Sequence, residues 1–295
     1  RNFKIVDIRD SKSLKKTINT IKPGIIIHMA AQPLISASYV NPHFTYSTNA
    51  IGTLNVLQIV NNSKYVKSLV CITSDKCYKD SFSTKGFKEN DQLGGEDPYS
   101  GSKACAEIIV KTYIESFFKK KKIGVASARA GNVIGGGDFS QNRLIPDSVL
   151  SLKKKRKIFL RNPKFNRPWQ HVLEPIYGYL ILAKKLYENP RRYEGAYNFG
   201  PENNTLTTVE NIVKKIIKFW GHGTYKINRK SMYYEQKNLQ LDITKAKKIL
   251  NWKPVLTIDE SVKFTISWYK RFFIDKENSK KITIDHINEY SKKIR

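Results

Sequence analysis

The feature that most restricts the fold is the run GIIIHMAAQP, Gly24 to Pro33, a short and wholly apolar β-branched stretch that closes on small residues. Strands buried on both faces read this way, whereas strands with one wet face alternate. Two further runs have the same role, Lys67 to Thr73 and Gly124 to Ala130. Between them lie helical patterns, one from His43 to Asn62 with apolar Ile51, Leu54, Leu57 and Ile59, and one opened by Pro98 that carries Cys105, Ile109, Tyr113 and Phe117. Buried strands alternating with helices give an α/β fold, a doubly wound parallel sheet. Open sheets of this kind bind ligands beyond the carboxyl ends of their strands, where Ala30 and Ala31 would let a ligand approach the backbone.

The alternation weakens after Leu144. A strand is expected near Ile158, a helix over Leu173 to Tyr187, a strand over Ala196 to Phe199, and a helix with Val209, Ile212, Val213, Ile216, Ile217 and Trp220 at helical spacing. Helices are also expected at Thr244 to Leu250 and Ile258 to Phe273. The expected organisation is a dinucleotide-type domain over residues 1–143, a smaller α/β substrate domain over 144–273 with some segments returning to the first, and a loosely held polar tail over 274–295. The opening residues RNFKIVDIRD read as the end of a strand leading to a helix over SLKKTINTIKP. A strand without a preceding partner, and no starting methionine, suggests a missing amino-terminal portion.

With 295 residues the chain can bury a sizeable core. No apolar run reaches the ~18 residues of a membrane span and no leader pattern opens the chain, so a soluble, cytoplasmic protein is expected. Cys71, Cys77 and Cys105 form no C-x-x-C pair, so neither a disulfide framework nor a structural metal site is expected. The net charge of +28 favours an anionic partner. Its lysines are scattered, however, and the clusters at Lys119 to Lys122 and Lys153 to Lys157 follow helix ends, so nucleic acid is not the expected partner.

The chemistry gathers between Ile72 and Lys103. Tyr99 and Lys103 are four residues apart on the Pro98 helix and share a face. A cation beside a phenol favours phenolate, which would make Tyr99 a base near neutral pH. The same spacing also arises by chance in many helices. A buried strand delivers Ser74, Asp75 and Lys76 to the same sheet edge, and the polar, glycine-bearing loop up to Asp97 suits a mobile cover.

HMAAQP, TSDKCY, DPYSGSKACAE, SARAGNVIGGGDF, RNP and RPWQHVLEP together resemble the extended short-chain dehydrogenase/reductase superfamily, and within it the CDP-glucose 4,6-dehydratase family, over nearly the whole chain up to about Phe273. The resemblance implies a Rossmann-like fold and a hydro-lyase that uses NAD as a recycled cofactor. It also implies a nucleotide-sugar substrate, a place in deoxysugar and surface-polysaccharide synthesis, and a homodimer or higher homo-oligomer. It assigns Tyr99 as the base at the sugar C4 hydroxyl. Lys103 would lower the Tyr99 pKa and hold the nicotinamide ribose, and Ser74 would hydrogen-bond the same hydroxyl. Asp75, protonated, would be the acid for the departing C6 hydroxyl, and Lys76, neutral, the base at C5. Both roles need pKa values displaced from the ordinary range. Related dehydratases on other nucleotide sugars carry Asp-Glu where this chain has Asp75-Lys76.

The resemblance further places Asp7 and Ile8 at the adenine and Ala30, Ala31 and Gln32 along the cofactor. Asn49 belongs either near the cofactor or to local backbone capping. Asn132, Arg143, Arg161 and Arg167 are the expected substrate contacts, since a nucleoside diphosphate calls for planar, multi-donor cations. The glycine-rich turn with which such folds hold pyrophosphate does not precede the first apolar strand, and Gly135 to Gly137 follow a late strand instead. Two other readings stay open, an epimerase or reductase on the same scaffold and a non-catalytic protein of the same fold.

Overall fold

The computed structural model describes residues 3–80, 86–202, 207–228 and 239–294. Four parallel strands form the main sheet in chain order: β1 (Ile25–His28), β2 (Ser68–Ile72), β3 (Gly124–Ala130) and β4 (Gly195–Phe199). Their side chains serve two faces. Leu69, Cys71 and Val125 pack with Val56, Leu57 and Val60 of α2 (Gly52–Asn61) and with Val110 and Ile114 of α3 (Pro98–Ser116). Val70, Ala126 and Ala128 pack on the other face with Leu182, Ala183 and Leu186 of α5 (Leu173–Glu188). Two apolar faces are what the uninterrupted runs demand.

A second core joins α4 (Leu144–Lys153), α6 (Val209–Trp220) and α7 (Ile258–Phe273) around Ile145, Val149, Ile216, Val262 and Ile266. Beside it a short strand, Ile158–Leu160, pairs in parallel with Tyr225–Ile227. The triple glycine packs on α7, because a Cβ at Gly136 would overlap the Trp268 ring.

Two expectations are corrected. The opening residues form no strand: Phe3 and Ile5 are exposed, and helix α1 (Ser11–Ile21) starts after Asp10, whose carboxylate caps Lys12 N and Ser13 N at 3.1 Å each. Apolar residues make a strand only beside a partner, and β1 pairs with β2 alone among the described residues. The polar tail is ordered as helix α8 (Ser279–Lys293), which buries Ile282, His286 and Tyr290 and donates the Tyr290 hydroxyl to Glu174 at 2.8 Å. The Asp75–Asp97 loop is pinned on both sides, by a Tyr78–Leu93 bridge and a Phe87–Leu241 bridge, and its residues 81–85 lie outside the described residues.

Candidate active site

Helix α3 positions the tyrosine and lysine. Pro98 occupies its first turn, Asp97 caps it by accepting from Ser100 N at 3.0 Å, and Tyr99, Lys103 and Glu107 follow at successive four-residue steps, all buried. Lys103 Nζ donates to the Ile72 carbonyl at 3.3 Å, which ties the helix to the end of β2. Just beyond that end, Ser74 caps a short 3-10 turn over Asp75–Cys77, accepting from Lys76 N at 3.2 Å and donating to Asp75 Oδ1 at 3.0 Å.

Burial sets the electrostatics. It raises Tyr99 to about 12, against a lowering hydrogen bond from Ser74. This corrects the expectation of a tyrosine depressed by Lys103. The ammonium is directed at the Ile72 carbonyl, and desolvation of the phenolate outweighs the available charges. Lys103 itself is lowered to about 8, chiefly by burial, with Glu107 the leading opposing influence. Asp75 is 3 % exposed and its carboxyl is raised, again chiefly by burial, with Lys76 and Arg167 acting against the rise. Its Oδ2 has no hydrogen-bond partner among the described residues.

Three residues that the motifs did not single out complete this corner. Gly131 lies directly under Asp75, where a Cβ would come 2.9 Å from Oδ1 and nearer still to Cγ and Oδ2. Gln170 Nε2 joins the ends of β3 and β4, donating to the Gly131 carbonyl at 3.4 Å and the Phe199 carbonyl at 2.8 Å. Tyr179 of α5 is buried edge-on against Phe199, and burial plus the charges of Asp75 and Tyr99 raise its phenol. The G-N after β3 and the Q of RPWQHV were the available signals.

The expected cofactor segment is built around Asn49. Its Oδ1 accepts from Gln32 N at 2.8 Å, and its Nδ2 donates to Gln32 O at 3.0 Å and to Ser102 Oγ at 2.9 Å. Asn49 sits in a π-helical turn, Ser47–Ile51, within the helical run and not at an amino terminus. It therefore clamps the β1 end to α3. Ala30 is exposed beyond β1, Ala31 is half-buried and Gln32 is buried. Asp7 is engaged by Arg9, whose Nη2 lies 2.6 Å from Oδ2, and Ile8 covers Gly52, where a Cβ would come 2.8 Å from Ile8 Cγ1.

The substrate set is split. Arg143 Nη1 lies 3.4 Å from Asp138 Oδ2, and its charge acts to lower Tyr99. Arg167 is buried, donates to Asn166 O at 2.9 Å and acts on Asp75. Arg161 is half-buried and acts on Asp147 of α4, and no interaction among the described residues joins it to the Tyr99 corner. Asn132 holds a left-handed φ of 43° between β3 and the Val133–Ile134 strand. His171 is buried edge-on against Phe264, and its pKa is lowered to about 3 by burial, which makes it a packed residue. No cluster of metal-binding side chains occurs among the described residues.

A parallel sheet carrying Ser74, Tyr99 and Lys103 together at its carboxyl edge defines a short-chain dehydrogenase/reductase type of protein. A buried carboxyl, that of Asp75, stands beside them. The chain belongs to the family described as GDP-mannose 4,6 dehydratase, whose model matches residues 1–265. It is 42% identical over 272 residues to a CDP-glucose 4,6-dehydratase of Salmonella typhimurium, covering 90% of this chain and 76% of that protein. A dTDP-D-glucose 4,6-dehydratase of Bos taurus is 28% identical, covering 95% and 78%. Among solved structures, a dTDP-glucose 4,6-dehydratase from Bacillus anthracis in complex with NAD is similar with a TM-score of 0.72 and 25% identity, over 90% of this chain and 78% of that one. A UDP-glucose 4-epimerase from Thermotoga maritima shares the fold, with a TM-score of 0.79 at 20% identity, covering 90% and 83%.

Proposed function

We propose that this protein is a hydro-lyase that converts CDP-glucose to CDP-4-keto-6-deoxyglucose and water, with NAD as a recycled cofactor. The observation that carries this reading is Asp75, a buried carboxyl with a raised pKa next to Ser74 and Tyr99. Oxidation at C4 alone gives no work to such an acid, whereas loss of the C6 hydroxyl needs a proton donor. The 42% identity to a CDP-glucose 4,6-dehydratase supports the choice of substrate.

The residues present fit the nicotinamide end of a dinucleotide. Exposed Ala30 leaves the end of β1 open to close approach, and Lys103 and Tyr99 stand on the helix clamped to it by Asn49. When bound, NAD would accept the hydride from sugar C4 and give it back at C6 once water has left, the proton taken from C5 being returned to C5, which yields the 4-keto-6-deoxy sugar. Tyr99, oriented by Ser74, takes the C4 hydroxyl proton, and Lys103, four residues further along α3, is the group for the nicotinamide ribose. The 4-ketone acidifies C5, Lys76 removes that proton, and Asp75 gives its own proton to the C6 oxygen, which leaves as water. Arg167 and Arg143 are the cations for the diphosphate, with Asn132 on the sugar side and Arg161 further out. Asp7 and Ile8 would serve the adenosine end. The protein works in the cytoplasm as a homo-oligomer and feeds deoxysugar synthesis for lipopolysaccharide. No helix among the described residues is long and apolar enough to cross a membrane.

The test supplies CDP-glucose and NAD to the purified protein and follows the alkaline absorbance of a 4-keto sugar. Turnover of GDP- or dTDP-glucose but not CDP-glucose overturns the base assignment. Lys76→Ala should abolish water loss, and unchanged overall turnover in that variant would favour an epimerase or reductase.

A further inference from the structure

We propose that Glu107 is a positioning residue for the Tyr99–Lys103 pair, a buried carboxylate that fixes α3 to the ends of β2 and β3 and supplies the negative charge facing Lys103. The proposal rests on the dehydratase reading above for its catalytic meaning. Its structural basis is a closed set of contacts. Glu107 is one helical turn beyond Lys103 and 2 % exposed. Its Oε1 accepts from the Thr73 hydroxyl, directly before Ser74. Its Oε2 accepts from Ser127 Oγ at 2.8 Å and from Arg129 Nη2 at 2.6 Å, a pair buried on both sides. Arg129 continues the link, donating from Nη1 to the Tyr78 hydroxyl at 2.8 Å, and Tyr78 donates to Asn198 Oδ1 at 2.7 Å. One carboxylate thus registers the tyrosine helix against the residues on either side of Ser74–Lys76.

Such a pair is a costly way to stabilise a core, since well-packed apolar residues do as well or better. The groups around Lys103 explain its use. On α3 these are Tyr99 and Glu107, on β1 the neutral buried His28, on β2 Cys71 and the Ile72 carbonyl, and on the 3-10 turn Cys77. Burial keeps both thiols protonated, which leaves Glu107 as the anion among these groups. Burial pushes Lys103 down to about 8, so without an anion beside it the lysine would lose its proton within the working pH range.

Glu107→Gln retains the shape and removes the charge. The titration of Lys103, followed by NMR of protein with 13C at lysine Cε and identified by its loss in Lys103→Met, is expected to fall by roughly one pH unit or more. The alkaline limb of kcat with CDP-glucose and NAD should fall by the same amount, with KM within about twofold of the parent value. A purely structural role would lower thermal stability and leave the Lys103 midpoint where it is, and that result overturns the proposal. Where Glu107→Gln fails to fold because Arg129 is stranded, the Glu107→Gln/Arg129→Met pair removes both charges, and a smaller fall in the same direction is expected, because the lost cation acts against the lost anion. An inactive parent protein would sink the dehydratase reading while the midpoint still decides on Glu107. An active parent with an unmoved midpoint in the variant would do the reverse.

Discussion

Gly131→Ala tests the geometry of the acid most directly. The added methyl would stand 2.9 Å from Asp75 Oδ1 and closer to Cγ and Oδ2, whereas apolar contacts settle at about 3.5–4.0 Å. Neither side yields easily, because Gln170 holds the Gly131 carbonyl and Ser74 holds Oδ1. Asp75 must therefore turn aside or move by well over 1 Å, and a displacement of about 1 Å can already cost on the order of 100-fold in rate. Overpacking of this kind costs about 1–3 kcal/mol of stability. The expected outcome is a folded protein with a modestly lower Tm, kcat for 4-keto-sugar formation down roughly 100-fold, and little change in KM, since the methyl meets the acid and not the diphosphate contacts. Transient reduction of bound NAD, read at the absorbance of the reduced nicotinamide, should survive, because Tyr99 and Lys103 are untouched. Full activity at unchanged Tm would refute the reasoning, and equal loss of NAD reduction and water loss would show that Gly131 supports the whole corner and not the acid.

Asp75→Asn should raise stability at pH 7 and make it less dependent on pH. The folded pKa of Asp75 lies above the ordinary value of 3.8, so the native state binds the extra proton and wild-type stability falls as pH rises through that window. Melting curves between pH 4 and 8 check this, and a variant less stable than the parent at pH 7 contradicts it. His28 acts at the acid side. Burial lowers its pKa from 6.5 to about 4, so the stability from its neutral form is present above about 6.5 and lost as pH falls towards 4. The loss amounts to roughly 3 kcal/mol, which His28→Gln should remove from the pH dependence of urea unfolding.

Where local residues decide the structure, the sequence was legible. Pro98 after a capping aspartate opens α3, and α7 spans Ile258 to Phe273 behind a Thr257–Glu260 capping box. Where distant partners decide, it was not. RNFKIVDI has the residues of a strand but no described neighbour, so Phe3 and Ile5 stay exposed. The 274–295 stretch is polar on average, yet Ile282, His286 and Tyr290 recur every four residues, and their burial depends on contacts such as that with Glu174, 116 positions away. Spacing likewise brought Tyr99 and Lys103 to one face but could not give the sign of the tyrosine shift, which burial decides.

The same burial separates the two neighbours proposed as acid and base. Asp75 and Lys76 are neighbours in the chain, and in water both would be charged at neutral pH. The 3-10 turn separates their surroundings: Asp75 faces inward onto Gly131 with one oxygen unpartnered, and Lys76 lies half-exposed beside a cleft lined by Tyr78, Glu96 and Ser100. Desolvation therefore acts on the carboxyl and favours its protonated form. The acid and base roles proposed for these two neighbours thus rest on different surroundings, one dry and one open to solvent.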